Sequence, residues 1–508
     1  MRNKIFLFLI VAISGNLFAG DSPFWGELKP GPYAIGFEIQ NRYDYGRPYI
    51  KKFDYEGNLA SGERARPLQI NIWYPAKPGQ STAMRLADYV HLTGVEDFSE
   101  LTTDRINQSE ARFIHAPWFQ GAPENRLRQI LNMPAAAVRN SIHAEGRFPL
   151  VVLANSTSLS SPSGQFILAE FLASHGYIVA SAPSRGAQTT AYGSRDSSVQ
   201  MQDLEFLIAS LHDYTALDRD KLALIGFGMG GLGVALLAMH NSDVDALVSL
   251  DSALANRFGY SLIFQNSLYK PNQLSVPILH ITAQEPNEDT DYAFFKAVKF
   301  SPVEYLRLKG LTSPDFSAVG MLKSLLPPPK DGKTANTKLG YETLCVYTEK
   351  FLEAELHKNS VSTRFLQNKP EQNGIPADFA SVEFKAAIKT PPTEQQFVEI
   401  IRKQGTQKGL EIQKEFAVLD PQIAIYDTDA LFALAEEYTQ NKKFEEAVAV
   451  LNLCVDRYPD YWESYDRIGR IYMNNGNKQL AIDHLSKSIE LNPDNPETAA
   501  ALKTLRES

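Results

Sequence analysis

The sequence predicts an α/β body built on a mostly parallel sheet, followed by an all-helical tail, and three observations carry that prediction. From Phe148 onward, short near-continuous apolar runs alternate with helix-length segments. A glycine-dense turn, Gly226-Phe227-Gly228-Met229-Gly230-Gly231, joins one such run to a helix. Near the C-terminus the chain repeats itself at a 34-residue offset.

Composition sets the frame. At 508 residues and 44% apolar content there is room for two or three folded domains. A formal charge of −9 and a pI near 5.6, with no dense Lys/Arg block, argue against nucleic acid as a partner. The two cysteines, Cys345 and Cys454, lie far apart and outside any metal-ligand spacing, so neither a disulfide framework nor a metal site is expected. Cys454 falls at a small-residue core position of the repeat and reads as a packed thiol.

In chain order, Arg2 and Lys4 give a basic start, Ile5 to Ile13 an apolar run, and Leu17-Phe18-Ala19 a cleavage site before Gly20. That is the layout of a signal peptide over 1–19, and it predicts a periplasmic or secreted protein. No cysteine follows the run to take a lipid anchor, and no later stretch approaches the roughly 20 continuous apolar residues of a membrane helix. Residues 66–76 alternate as a strand, and 83–145 read as an insertion or cap between early strands.

The predicted body then runs strand 150–154, helix 166–175 closed by Gly176, strand 177–182, helix 201–211, strand 221–225, helix 231–239, and strands 246–250, 276–282 and 303–308. A helix over 341–356 closes it. The body is expected to span 20–365, a Pro/Lys/Thr-rich stretch at 366–393 to be linker, and 394–508 to be helical. In that tail Tyr438 matches Tyr472, Ala447 matches Ala481, Leu451 matches Leu485 and Pro459 matches Pro493. This is the tetratricopeptide signature, giving repeats 428–461 and 462–495, a closing helix from Pro496 to Leu505, and segment 394–417 as a further packing layer. Stacked helices of this kind present a concave face to a protein partner.

The flanking glycines of the turn resemble those of a G-x-S-x-G junction, in which the central serine is lifted above the sheet on a sharp strand-to-helix corner. Here that centre is Gly228. The blocks Phe148–Leu153, Leu172–Val179, Ala182-Pro183-Ser184-Arg185-Gly186 and Ser249-Leu250-Asp251 are similar to those of secreted bacterial hydrolases related to dienelactone hydrolases and platelet-activating-factor acetylhydrolases. The resemblance covers about residues 30–365. It implies an eight-stranded α/β-hydrolase sheet and, in active members, a Ser-Asp-His triad. On that resemblance Asp251 takes the acid position, and Ser313 in Gly310-Leu311-Thr312-Ser313-Pro314-Asp315-Phe316 stands where the histidine belongs. Asn155 and Ser156, in the loop 154–158, together with Met229 take the oxyanion or ligand-contact positions.

With no hydroxyl at 228 and no imidazole at 313, the expectation is a non-catalytic protein that binds a small ester-like or lipid-like ligand, without cofactor. An active hydrolase with a displaced nucleophile (Ser249, Ser252 or Ser313) is the alternative, and a repeat-mediated binding module on an inert body is a third. His175 and His280 read as packed core histidines, and His357, on the last helix of the body, and His484, in the second repeat, are not placed to serve as base. Gly228-Met229-Gly230-Gly231-Leu232-Gly233 is also a literal G-x-G-x-x-G with Asp251 ending the next strand, the parts of a dinucleotide fingerprint.

Overall fold

The computed structural model describes residues 22–49, 58–59, 64–79, 82–156, 162–183, 194–328, 336–419, 421, 423 and 425–507. The expected signal peptide, Thr157 and Ser158 of the ligand loop, and the block Ser184-Arg185-Gly186 lie outside them. The chain divides into two units, Met1–Ala387 and Ile388–Ser508.

The first unit opens with strands β1 (Ala34–Pro48) and β2 (Ala65–Ala76), paired antiparallel. Helices α1 (Leu86–His91), α2 (Thr103–Ile114) and α3 (Glu124–Leu131) and the two-residue β3 (Val138–Arg139) form the insertion. Then come β4 (Phe148–Ala154), α4 (Phe166–Ser174), β5 (Ile178–Ser181), α5 (Ser194–Ser210), β6 (Leu217–Phe227), α6 (Gly230–His240) and β7 (Val244–Leu250). The unit continues through α7 (Arg257–Phe264), β8 (Ile278–Ala283), α8 (Ala293–Ala297), β9 (Val303–Leu308), α9 (Ala318–Ser324), α10 (Thr337–Leu356), α11 (Ser360–Gln367) and β10 (Ala380–Lys385).

The sheet has ten strands in the order β10-β9-β8-β7-β6-β4-β5-β2-β1-β3. The run from β5 through β4 to β9 is parallel, and β2 is antiparallel to β5. Eight strands form the expected sheet, with β3 and β10 added at its two edges. The parallel strands are apolar on both faces because both are covered. Val151, Leu153, Ile225, Val248 and Ile281 point into the core that includes α4 and α10, while Val152, Leu224, Leu247 and Ile278 point into the one that includes α5 and α6.

Two expectations need correction. The stretch 366–393 is not all linker: its alternating Ala380-Ser381-Val382-Glu383-Phe384-Lys385 is β10, pairing antiparallel with β9 from Ala380 opposite Leu308 to Lys385 opposite Val303. The insertion is a side layer and not a cap. Its Leu86, Tyr89, Leu127 and Ile130 join Trp73 and Phe166 in the core on the α4 face. Fully buried Glu170 ties this layer to α4, accepting hydrogen bonds from Trp25 Nε1 (3.2 Å), Tyr89 OH (2.8 Å) and the backbone N–H groups of Ala136 and Ala137 (3.1 Å each). Burial pushes its carboxyl up to about 7 against those donors.

The regular elements of the second unit, among its described residues, are helices: α12 (Glu394–Gln404), α13 (Thr406–Leu419), α14 (Thr428–Gln440), α15 (Phe444–Arg457), α16 (Trp462–Asn474), α17 (Lys478–Leu491) and α18 (Pro496–Glu507). The segment 394–417, expected as a further packing layer, is two helices separated at Gly405, where φ is +86°. The resulting pair packs onto the next, α12 on α14 and α13 on α15. The first residues of α12, α14, α16 and α18 (Glu394, Thr428, Trp462 and Pro496) follow each other at 34-residue intervals. The unit is therefore three helical pairs and a closing helix, and the extra pair supplies the neighbour that two repeats alone would lack. Small residues sit where paired helices touch: a Cβ on Gly409 would lie 2.9 Å from Ile401, and one on Gly469 2.7 Å from Leu485. Cys345 and Cys454 are both buried free thiols.

Candidate functional site

The corner after β6 is sharp. Phe227 ends the strand, Gly228 adopts φ +54°, and α6 begins at Gly230. The corner is pinned by backbone bonds: the Gly228 N–H donates to Leu250 O (3.2 Å), and its carbonyl accepts from Ala253 N (2.9 Å) and Gly231 N (3.2 Å). An L-residue held at this φ pays about 1–2 kcal/mol that glycine does not.

The neighbouring glycines let helix and strand close up. A Cβ on Gly226 would meet Val234 at 2.5 Å, one on Gly230 would run into the Ala154 carbonyl, and one on Gly231 into Ser252. Helix–strand packing thus accounts for the G-x-G-x-x-G spacing. A dinucleotide fingerprint normally opens its fold, whereas two strand–helix units precede this one. Asp251, which that reading reserves for a ribose, is hydrogen-bonded within the protein.

Ser156 stands against the empty corner. A Cβ on Gly228 would lie 3.0 Å from Ser156 Cβ and 3.1 Å from its Oγ. The space into which a nucleophile would project is thus bordered by a hydroxyl from the loop after β4. Ser156 and its neighbour Asn155 are both buried, and the Asn155 carbonyl accepts from Gln200 Nε2 (3.1 Å). Met229, the first residue past the corner, is partly buried.

Asp251 follows β7 with φ +40°. Its N–H donates to Ile281 O (2.7 Å), and its carboxylate accepts from Thr282 Oγ1 (2.9 Å), with the Ser313 hydroxyl and the Ala283 N–H near enough to favour its charged form. The retained acid position and the altered base position therefore lie near each other, with a hydroxyl in place of an imidazole. Burial raises the Asp251 carboxyl above its ordinary range despite these donors, and the charge of Asp315 adds to the rise. Asp315 is itself buried, accepting from Thr312 N (2.8 Å), Thr312 Oγ1 (2.7 Å) and Lys323 Nζ (2.7 Å). That lock fixes the 3-10 turn Ser313–Phe316 that carries Ser313.

One Ser–His contact exists elsewhere. Ser249 Oγ lies 2.8 Å from His280 Nδ1 and 2.7 Å from Ser252 Oγ. Ser249 and His280 are 0% exposed and Ser252 3%, so no substrate reaches the pair. Burial, helped by the Arg307 charge, pushes the His280 imidazole down to about 3 and keeps it neutral. Of the three displaced-nucleophile candidates only Ser313 is exposed, and it lies near the Asp251 carboxyl. His280 sits in the core as expected, but only its Nδ1 is paired. His175 is held by Phe171 O (2.8 Å), and His357 ends α10 beside Lys221 and Glu353. His484 stacks with Tyr465 and Tyr472 in the second unit. None of the nine histidines is a hydrogen-bond partner of Asp251. Ser156 was read in the sequence as an oxyanion contact. Its approach to residue 228 carries no local signal, because it depends on where the loop after β4 closes.

Comparison with known proteins agrees with the division into two units. The tetratricopeptide repeat family matches residues 428–461 and again 462–495. No curated protein matches the chain. Among solved structures, the chain is similar to a ferulic acid esterase from Streptomyces cinnamoneus, at 16% identity and a TM-score of 0.47, over 70% of this chain and 97% of that one. Strand order, the glycine corner after β6 and the repeat matches together make this chain an α/β-hydrolase-fold body followed by a tetratricopeptide-repeat unit.

Proposed function

We propose that the protein is an exported pseudohydrolase: the body holds a small ester-like or lipid-like ligand without cleaving it, and the repeat unit engages a protein partner. The observation that carries this reading is the pair of substitutions at the site. Gly228 brings no side-chain hydroxyl to the corner, and Ser313 brings no base to Asp251. Acyl transfer on this fold needs a hydroxyl whose proton is taken by an adjacent imidazole. The retained Asp251, Asn155, Ser156 and Met229 still offer polar contacts to a carbonyl or hydroxyl group. The resemblance to dienelactone hydrolases and acetylhydrolases supports an ester or lactone as the ligand class. The basic-then-apolar N-terminus supports export.

The test is direct. Purified full chain incubated with short-chain p-nitrophenyl esters should release p-nitrophenol at the buffer rate. Saturable hydrolysis that disappears in Asp251→Ala would overturn the reading.

A further inference from the structure

A second polar site lies in the body, away from the Gly228 corner. Gln69, Asn71 and Trp73 alternate along β2 and share the face that α4 and α1 cover, where Trp73 joins the core. Asn71 is 0% exposed, and neither its Nδ2 nor its Oδ1 has a hydrogen-bond partner. Gln69 is 2% exposed; its Nε2 donates to Val95 O (3.2 Å), which fixes the amide's orientation and leaves Oε1 unpartnered. Across the sheet Asn71 faces Ile39 on β1 and Ser181 on β5. Ser181 is the last residue of its strand, at the end of the sheet from which β6 delivers Gly228.

Buried amides are paired almost without exception, because leaving them bare forfeits their hydration with nothing in return. Three unpaired atoms two residues apart on one face therefore call for a common partner. That partner must give one hydrogen to Asn71 Oδ1 and another to Gln69 Oε1, and must accept one from Asn71 Nδ2. A carboxylate or other anion has no hydrogens to give. An ammonium or metal cation cannot accept. A water molecule can do all three, and it is the usual partner of buried polar groups closed to bulk solvent.

We infer that Asn71 and Gln69 form a built-in binding site for an ordered internal water that bridges the two amides beneath the insertion layer. The bridge makes Asn71 a satisfied, stabilising residue, and an apolar replacement of similar size discards the bridge instead of relieving a defect.

That sign is the test. Asn71→Leu in the full chain should lower the urea midpoint of the body. If Asn71 were simply unpaired, the same replacement would leave the midpoint unchanged or raise it, which overturns the inference. A crystal structure of the unsubstituted protein resolves the matter even if Asn71→Leu fails to fold. A single water-sized density peak within hydrogen-bond distance of Asn71 Oδ1, Asn71 Nδ2 and Gln69 Oε1 supports the site. Bare amides, a rotated Asn71 paired to protein, or density for a larger organic molecule refutes it.

Discussion

Restoring the missing hydroxyl and imidazole tests how far the site has decayed, and the structure sets the magnitudes. In Gly228→Ser the new residue must hold φ near +54°, and its Cβ comes to 3.0–3.1 Å from Ser156, so Ser156 must yield by a few tenths of an ångström. Left-handed backbone strain costs about 1–2 kcal/mol and the tight contact adds to it, so a loss of about 1–3 kcal/mol is expected. Adding Ser156→Gly removes the contact and should return part of that loss. Ser313→His replaces an exposed side chain near Asp251, and a change within about 0.5 kcal/mol is expected.

Catalysis should require both replacements, since serine without a base and base without serine each leave the proton transfer unassisted. A positioned base contributes about 10²–10⁴-fold, so the double variant should exceed either single one by at least about 10² in p-nitrophenyl acetate hydrolysis. The gain should vanish with Asp251→Asn. Rates come from initial velocities, and stabilities from urea unfolding of the same preparations. A Gly228→Ser protein as stable as the parent, or a folded double variant no faster than the singles, would refute the reasoning.

Two further outcomes follow from buried charges. Glu170 titrates near 7 when folded against an ordinary value of 4.5, so the stability linked to its protonated form is complete below about pH 4.5 and is lost as the pH rises through 7, roughly 3 kcal/mol in all. Urea midpoints of the parent and Glu170→Gln should therefore diverge with one-proton dependence across that window, and a pH-independent gap would contradict the assignment. In the repeat unit, Asp466 accepts from Thr498 Oγ1 (2.6 Å) on α18 and pairs with Arg470 (2.7 Å). Asp466→Ala should cost about 1.5–3 kcal/mol and speed amide exchange in α18 ahead of α14; unchanged exchange there would show that the closing helix is held by other contacts.

Much of this was legible in the residues, for identifiable reasons. The strands from β4 to β9 show as short apolar runs because a two-sided parallel sheet leaves them no polar face. The repeats show because a 34-residue unit must place small residues and prolines at fixed offsets. β10 was hidden by its setting: Ala380, Val382 and Phe384 alternate with Ser381, Glu383 and Lys385 as an edge strand should, but nearby prolines and lysines resemble linker. The β1 segment Ile35, Phe37 and Ile39 alternates as well, then runs into the charged Arg42, Asp44 and Arg47, and the partners of Arg47 include one far along the chain. That partner is Asp203, at 2.8 Å. At the site, the glycine at 228 showed in the turn itself, and the positions 251 and 313 through the family resemblance. The nearness of Asp251 to Ser313, the approach of Ser156 to the corner and the sealed Ser249–His280 pair did not, because each depends on how loops from different strands close over the sheet.

One measurement bears on the central claim most directly: the intact mass of the unsubstituted full chain after exposure to excess fluorophosphonate. A site without an activated hydroxyl predicts no adduct at any incubation time that fully labels a serine esterase control. A stoichiometric mass increase that maps to a single serine would contradict the account and make the protein an enzyme.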